Sequence, residues 1–216
     1  RKTRPAEREQ ATADGYDLSQ GRNIVAVDVV ALSVHPKNPL DSLTYDQVIG
    51  IFCTRSIDNW LFLGLDDGKI RAITRDPGSG TRDLFEDFFC GPRGLNPRVE
   101  VMPAEDILST LASDPNAISY VSLSQVNSKV LGLRTDVASD IVRPTQQNII
   151  RGVYPLYHDL YFYSAGRAKG PVADFIDWIG SPAGQEVVDE AGFVPLFLRP
   201  ERLDTSRPLR ETIHFD

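Results

Sequence analysis

Hydrophobic and polar residues along the chain follow two periods, one typical of strands and the other of helices. The longest apolar stretch, residues 24–34, is interrupted by Asp28 and Ser33 and predicts a buried strand that ends at a Pro-Lys-Asn-Pro breaker. Further strands are predicted around residues 69–73, 99–102, 117–123, 129–133 and 160–163. Helices are predicted around residues 5–13, 44–52, 83–89, 104–112, 172–179 and 182–191, with Ser42 or Thr44 capping the second of them. This alternation favours an α/β fold with a largely parallel sheet.

Aromatic side chains concentrate in the last third of the chain, at Tyr154, Tyr157, Tyr161, Phe162 and Tyr163. Aromatic residues are favoured in strands, so the pattern predicts core packing around a strand. A stacking platform for bases or sugars is the alternative, but no Lys or Arg lies between these residues to support it.

Length and charge narrow the classes of partner. The chain has 216 residues, enough to bury a full core as one large or two small domains, and 41% of its residues are hydrophobic. Its net charge of −7 argues against a nucleic-acid partner, because such binding needs a basic face. A small anionic ligand remains compatible with this charge, since local dipoles and hydrogen bonds hold an anion in a buried site.

Targeting signals are not apparent in the sequence. No apolar run approaches the length of a membrane-spanning helix, and no hydrophobic leader follows the basic opening residues. The opening also lacks an initiator Met. We therefore expect the sequence to begin inside a longer precursor.

Cysteine and histidine form no recognisable catalytic or metal-binding pattern. Cys53 and Cys90 are either a disulfide in an oxidising compartment or two small buried thiols in a reducing one, and the sequence leaves both open. The three histidines, His35, His158 and His214, are scattered along the chain. We predict no metal, no cofactor and no catalytic residue, because no nucleophile–base pair is apparent.

The most informative stretch is residues 74–81, Thr-Arg-Asp-Pro-Gly-Ser-Gly-Thr, between a predicted strand and a predicted helix. A turn of this kind directs backbone N–H groups, the Ser79 and Thr81 hydroxyls and the positive end of the helix dipole toward one point. It is not a nucleotide-binding P-loop, because the lysine of that motif is absent.

Two interpretations of this stretch stay open on local evidence. In the first, it is only a turn in which Ser79 or Thr81 caps the following helix. In the second, Arg75 places its guanidinium beside the turn and completes a nest for a tetrahedral oxyanion.

A series of segments resembles the substrate-binding proteins of phosphate ABC importers, a family with the type II periplasmic binding-protein fold. They are the strand and His-Pro-Lys-Asn-Pro turn at residues 29–39, the Ser-Leu-Thr helix at 42–52, the Asn-Trp corner at 57–60, the glycine-rich loop at 75–81, the Ile-Ser-Tyr-Val-Ser strand at 118–122, Tyr-Pro-Leu at 154–156 and the C-terminal signature at 175–196. Each match alone is weak, but their order and spacing hold from about residue 24 to residue 196.

The resemblance implies a set of ligand contacts in the glycine-rich loop. Arg75 would pair with phosphate through its guanidinium, and the Ser79 and Thr81 hydroxyls would donate to it with the backbone N–H groups of Gly80 and Thr81. Arg82, one residue into the helix, would screen the anion or face solvent. The predicted binding residues are therefore Arg75, Gly78, Ser79, Gly80, Thr81 and Arg82.

Two departures from the family pattern bear on binding. Many relatives carry Asp or Glu two residues before the serine, a carboxylate that accepts the proton of the ligand, whereas this chain has Pro77 there. The family's first βαβ segment, which supplies further contacts, has no counterpart before Arg1. We expect the residues present to form one wall of an oxyanion site, and tight binding to require the other wall.

The implied architecture is a two-lobe type II fold with mostly parallel sheets and an incomplete first lobe. The expected parts are residues 1–34 as part of lobe one and the crossing strand, residues 35–122 as lobe two with the anion loop, residues 123–196 as the rest of lobe two and the return to lobe one, and residues 197–216 as a linker or tail. The hinge is expected in the crossing strands near residues 30–35 and 118–123.

The implied function is non-enzymatic capture of inorganic phosphate for an ABC transporter permease, in the periplasm or at the bacterial cell envelope. Because of Pro77, a binding protein for another oxyanion, such as sulfate or molybdate, is an alternative function. Because the first segment has no counterpart, a cell-wall-associated module of the same fold with a weakened site is a second alternative. Residues 210–216 resemble the opening strand of outer-membrane-protein-A-like peptidoglycan-binding domains, which would imply such a domain downstream, and a frayed terminus is the alternative.

Overall fold

A computed structural model describes residues 2–19 and 21–196 of the chain. The strands are β1 (Arg22–Val34), β2 (Ser42–Thr44), β3 (Arg71–Thr74), β4 (Glu100–Val101), β5 (Ala117–Ser122), β6 (Lys129–Val130), β7 (Gly132–Arg134) and β8 (Tyr157–Tyr163). The helices are α1 (Pro5–Ala13), α2 (Tyr45–Ile49), α3 (Gly80–Phe85), α4 (Ala104–Ser113), α5 (Gln146–Ile150), α6 (Pro171–Ile179) and α7 (Pro182–Glu190). This order confirms the predicted α/β class. The predicted linker or tail at residues 197–216 lies outside the described residues, and so do residues 210–216, which resemble the start of a peptidoglycan-binding domain.

Strand β1 connects the two halves of the molecule. Its first half, residues 22–29, pairs antiparallel with β8, and its second half, residues 30–34, pairs antiparallel with β5. Strand β5 pairs parallel with β3, and β3 pairs parallel with β4. The predicted parallel arrangement therefore holds for β3, β4 and β5 and for the separate β2–β7 pair, whereas β1 runs against its neighbours because it enters from the other half.

We define lobe one as the part of the molecule that contains β8, the first half of β1, and helices α1, α6 and α7. Lobe two contains β2 to β7 and helices α2 to α4. Lobe two has an extensive buried core in which the Phe85 ring stacks on Tyr120, with ring centroids 3.7 Å apart, and Phe52 packs edge-on against Phe85. The separate buried cluster in the described part of lobe one is small and consists of Val25, Ala26 and Val188. The two lobes therefore differ sharply in how much apolar surface they bury.

Helices α2 and α3 extend beyond their regular turns in the same way. A capping box begins α2: the Gln47 N–H donates to the Thr44 hydroxyl, and the Thr44 N–H donates to the Gln47 side chain at 2.8 Å. Of the two predicted caps, Thr44 is thus the one used. Each helix then continues into a π-helical turn, Gly50–Thr54 after α2 and Glu86–Cys90 after α3.

A disulfide joins these two π-helical turns. Cys53 and Cys90 are bonded, with their Cα atoms 5.4 Å apart. The structure therefore shows the oxidised one of the two states that the sequence left open. Tyr45 packs edge-on against Phe88 and Phe89 across the same helix pair, so the bond lies beside a packed contact.

The aromatic residues of the last third pack in the core only in part. Tyr154 is fully buried, but Tyr157 and Phe162 are each more than a third exposed, and no residue of β8 is buried. The prediction of core packing is thus wrong for those two residues. The physical reason is that β8 pairs on one side only, with β1, and little of the described chain covers its faces.

Tyr154 supports β1 at the point where the strand changes partner. Its buried hydroxyl donates to the Val30 carbonyl at 2.7 Å, and the Val30 N–H donates to the Leu156 carbonyl at 2.9 Å. Replacing Tyr154 by Phe leaves a buried carbonyl with one partner fewer, so we expect a loss of about 1–2 kcal/mol in the free energy of unfolding. Urea unfolding measures this loss. Tyr157→Phe, at an exposed tyrosine, is the control, and equal stability of both variants would contradict the prediction.

No described helix has both the length and the apolar character needed to cross a membrane.

Candidate oxyanion site

The glycine-rich loop lies at the carboxyl ends of the parallel strands of lobe two. Strand β3 ends at Thr74, and its neighbour β5 ends at the same edge of the sheet. Ligands of open α/β sheets bind at this edge. The Thr74 side chain is hydrogen-bonded to the Tyr120 hydroxyl on β5. Burial raises the pKa of Tyr120, so the hydroxyl stays protonated and holds the end of β3 against β5.

Local hydrogen bonds shape the loop into a helix start. Gly78 has a φ of 98°, a left-handed conformation that suits glycine. The Ser79 N–H donates to the Asp76 carbonyl at 3.2 Å, and the Ser79 hydroxyl accepts from the Arg82 N–H at 3.4 Å. Ser79 is therefore the N-cap of α3, as the first of the two interpretations predicts.

Several donors of the same loop have no acceptor. The Nε atom of Arg75 is buried and has no hydrogen-bond partner. The N–H groups of Gly80 and Thr81, in the first turn of α3, meet no acceptor within the described residues. Buried polar groups are normally paired, so unpaired donors at one loop are consistent with the second interpretation, a nest for an anion. The two interpretations are compatible, because the Ser79 cap leaves these other donors unused.

Arg82 is engaged differently from Arg75. Its Nη1 atom donates to the Arg75 carbonyl at 3.1 Å, and its Nε atom donates to Glu86 one turn further along at 3.2 Å. These bonds hold the guanidinium against the loop backbone, where it braces the loop. A direct contact between Arg82 and a ligand stays a prediction.

A cavity of about 690 Å³ separates the two lobes and reaches the loop at Gly80. Residues from α3 and its extension line one side, and residues of β8 line the other: Asp83, Leu84, Glu86, Asp87, Tyr157, His158, Asp159 and Tyr161. Lys2, Thr3 and Arg4 complete the lining. The Arg4 guanidinium donates to both carboxylate oxygens of Asp83 and so connects the N-terminal segment to α3. Of the predicted binding residues, Gly80 lines this acidic cleft, in which Lys2 and Arg4 of the N-terminal segment offset part of the charge.

A buried polar cluster lies where the two lobes meet. The Ser122 hydroxyl at the end of β5 donates to Asp28 of β1, and His158 of β8 lies 3.5 Å from the second Asp28 oxygen. Ser124 is hydrogen-bonded to Ser122 at 2.7 Å. Sequence reasoning did not identify this cluster, although Asp28, a carboxylate within a buried strand, was a signal for it. Arg4 and Lys2 in the cleft carried no such signal.

Ser79→Ala tests the capping role of the loop. Alanine cannot accept from the Arg82 N–H, and we expect the free energy of unfolding to fall by about 0.5–1 kcal/mol. Chemical denaturation measures the change. Ser113→Ala, at an exposed serine of α4, is the control, and an unchanged midpoint for Ser79→Ala would show that the cap contributes nothing.

Among the described residues, no group of three or more His, Cys, Asp or Glu side chains is arranged to hold a metal ion.

The chain is similar to one family of known proteins, by a family model and by individual relatives. The model of the PBP superfamily domain matches residues 2–183. The phosphate-binding protein PstS of Bacillus subtilis (strain 168) is 28% identical over 173 residues, which cover 80% of this chain and 56% of that protein. PstS of Pseudomonas aeruginosa (strain PAO1) is 29% identical over 205 residues, which cover 87% of this chain and 64% of that protein. The chain thus spans less than two thirds of these two relatives.

Solved structures show the same fold. A Clostridium perfringens protein assigned as a phosphate ABC transporter substrate-binding protein, with bound phosphate, superposes with a TM-score of 0.76 at 28% identity. The match covers 91% of this chain and 77% of that one. An ABC-type phosphate transport receptor from Vibrio cholerae superposes with a TM-score of 0.65 at 23% identity, which supports the fold alone.

Proposed function

The chain belongs to the PBP superfamily, and on that premise we propose that it captures inorganic phosphate for an ABC-type importer. The observation that carries the proposal is the set of unused donors at the loop: the buried Nε atom of Arg75 and the N–H groups of Gly80 and Thr81. Relatives at 28% and 29% identity are named phosphate-binding proteins, which supports the same ligand class.

The donors match what a desolvated oxyanion needs. A phosphate that leaves water must replace its hydration shell donor by donor, and charge-assisted hydrogen bonds of about 1.5–3 kcal/mol each can do so. A guanidinium presents its N–H groups in a planar fork that fits two oxygens of a tetrahedral anion. We propose that the Thr81 hydroxyl and the N–H groups at the start of α3 supply further, neutral donors to the same anion.

We propose that capture involves closure of the two lobes about the crossing strands. Strand β1 leaves its pairing with β8 after Val29 and begins its pairing with β5 at Val30. A few residues at the ends of such elements can absorb the backbone rotation of domain closure. The predicted division at residues 34, 122 and 196 is compatible with this placement and stays part of the proposal.

The ligand class has one specific alternative. Pro77 occupies the position of the proton-accepting carboxylate, and the neighbouring Asp76 is one residue out of register, so the loop has no carboxylate at the position that separates protonated phosphate from fully ionised sulfate. A receptor for another oxyanion, such as sulfate or molybdate, would use the same donors.

We further propose that the chain binds without turnover and delivers its ligand to a permease outside the cytoplasm. The loop combines an arginine with hydroxyls and amides, a set suited to holding an anion, and the relatives are named as binding proteins. A cell-wall-associated module with a weakened site is the outcome to consider if no oxyanion binds.

Isothermal titration of the chain with phosphate at pH 7 and pH 5, with sulfate as competitor, tests the proposal. We expect phosphate to bind more weakly than the micromolar range, because the loop supplies one wall of the site. Micromolar or tighter binding would contradict the need for a second wall. Displacement of phosphate by equimolar sulfate would favour the alternative ligand class, and the absence of binding at millimolar phosphate would contradict the proposal for this chain.

Pro77→Asp tests whether a carboxylate at residue 77 makes the site prefer phosphate over sulfate. A carboxylate two residues before Ser79 would accept the proton of hydrogen phosphate and repel sulfate, which has no proton to donate. We expect the preference for phosphate over sulfate to rise about tenfold, equivalent to roughly 1.4 kcal/mol. Competition titrations measure the ratio. Pro77→Asn is the matched control, because it has a similar size without the charge, and an equal ratio in both variants would contradict a role for the carboxylate.

A further inference from the structure

An ion pair spans the cleft between the two lobes, from side chains that lie outside the crossing strand. The Arg4 guanidinium donates to the two carboxylate oxygens of Asp83, at 2.6 and 2.5 Å. Arg4 immediately precedes α1 of lobe one, and Asp83 lies on α3 of lobe two. Both residues line the cavity that Gly80 also lines. The pair therefore joins the two walls of the cleft next to the glycine-rich loop.

The Arg4 end of this pair is anchored on the side of lobe one. No residue of α1 is buried, so apolar packing contributes little to the position of this helix. The Thr3 N–H donates to the Tyr163 hydroxyl at the end of β8 at 3.2 Å, and the Arg4 N–H donates to the Glu7 carboxylate at 2.6 Å. These two contacts hold the backbone at Arg4, and the side chain reaches from there to α3.

Asp83 lies on the wall of the cleft that carries the glycine-rich loop. Gly80 and Asp83 are three residues apart on α3, and residues with this spacing are neighbours on one face of a helix. A carboxylate at this position repels an anion at the loop unless a cation neutralises it. Glu86, on the same wall, is paired with Arg82 at 3.2 Å. Arg4 supplies a neutralising charge to Asp83, and it does so from the opposite lobe.

We propose that the Arg4–Asp83 pair is an interlobe latch, which favours the closed arrangement of the lobes and neutralises a carboxylate that opposes an anion at the loop. The pair forms when the lobes approach and breaks when they separate, so it biases the equilibrium toward the closed state. The two side chains are 44% and 32% exposed, and ion pairs open to water have modest effects. The anchored backbone of Arg4 reduces the conformational entropy that the pair must offset. The neutralising role rests on the proposed function, whereas the latch itself does not.

Distances between the lobes test the latch without any ligand. Spin labels are attached at Ala112→Cys on α4 and Val187→Cys on α7, two exposed positions in different lobes, without reductant so that the native disulfide is retained. Pulsed electron paramagnetic resonance then gives the distribution of distances between the labels. We expect Arg4→Ala to raise the population of longer distances roughly threefold, the scale of a partly exposed ion pair. The charge exchange Arg4→Asp with Asp83→Arg brings opposite charges together again and should restore the distribution of the parent chain.

Phosphate titrations test the neutralising role. Arg4→Ala removes the cation that faces Asp83 across the cleft, and we expect the dissociation constant for phosphate to rise roughly fivefold. Asp83→Asn in the same background removes the carboxylate as well, and should lower the constant again although the lobes stay apart. Arg167→Ala is the control, because it removes an exposed arginine between β8 and α6 that is not among the described residues lining the cavity. It should change neither the distances nor the affinity.

The two measurements separate the latch from the proposed function. A distance distribution that Arg4→Ala leaves unchanged, or that the charge exchange does not restore, would overturn the latch whether or not phosphate binds. A dissociation constant that Asp83→Asn does not improve in the Arg4→Ala background would overturn the neutralising role. If the parent chain binds no phosphate, the proposed function and the neutralising role fail together, and the distances decide the latch alone. Circular dichroism confirms that each variant is folded.

Discussion

Arg75→Ala should weaken phosphate binding at least a hundredfold and bring it below detection by titration. The buried Nε atom of Arg75 has no hydrogen-bond partner in the described structure, and we propose that a bound anion accepts from it. Loss of two charge-assisted hydrogen bonds of about 1.5–3 kcal/mol each corresponds to more than a factor of one hundred in the dissociation constant. The measurement is isothermal titration in the millimolar range of phosphate, with circular dichroism to confirm that the variant is folded.

Two further variants locate the effect in the guanidinium of Arg75. Arg75→Lys keeps the charge but lacks the fork, and should retain part of the affinity. Arg93→Ala removes an exposed arginine that follows the π-helical extension of α3, and it should leave the dissociation constant for phosphate unchanged. If Arg75→Ala and Arg93→Ala bind phosphate equally, Arg75 is not a ligand and the unused donors of the loop serve another purpose.

Removal of the disulfide should produce the largest loss of stability. The bond closes a loop with a sequence separation of 37 residues, and the chain-entropy relation gives about 3–4 kcal/mol for a loop of that length. For a chain of this size, such a loss lowers the melting temperature by roughly 10 °C. We expect Cys53→Ser with Cys90→Ser to show this shift by calorimetry, because the bond restricts the unfolded chain.

Reduction supplies the matched control for this experiment. Dithiothreitol should lower the melting temperature of the native chain to that of the double variant, and should leave the double variant unchanged. Phosphate binding should persist in both below their melting temperatures, since the bond lies at the far end of α3 from the loop. A double variant as stable as the oxidised chain would contradict the stabilising role of the disulfide.

The local parts of the fold were predictable because their signals lie in neighbouring residues. The apolar run at residues 24–34 predicted β1, and the alternation of short apolar runs with helical patterns predicted the α/β class. The turn at residues 74–81 predicted a strand-to-helix transition, and the structure has it between Thr74 and Gly80. Turn chemistry and capping act over three or four residues, so a sequence contains the information for them.

Contacts between distant residues required the tertiary structure. The sequence left the state of Cys53 and Cys90 open, because the approach of two cysteines depends on how two helices pack. It likewise showed Asp28 only as an interruption of an apolar strand, whereas folding brings Ser122 and His158 to its two oxygens. The same limit applies to Arg75, whose unpaired Nε is known only once the surrounding residues are in place.

Patterns along the chain were sufficient to predict most of the strands and helices and the position of the candidate anion loop, although they predicted neither β2 nor α5. Which apolar residues are covered was known only from the tertiary structure. The aromatic pattern predicted core packing for Phe162, which is exposed, and the periodicity of α6 predicted nothing about the exposure of Phe175 and Trp178. The physical reason is that an apolar pattern records a tendency to leave water, whereas burial depends on whether another part of the chain, or another chain, reaches that face.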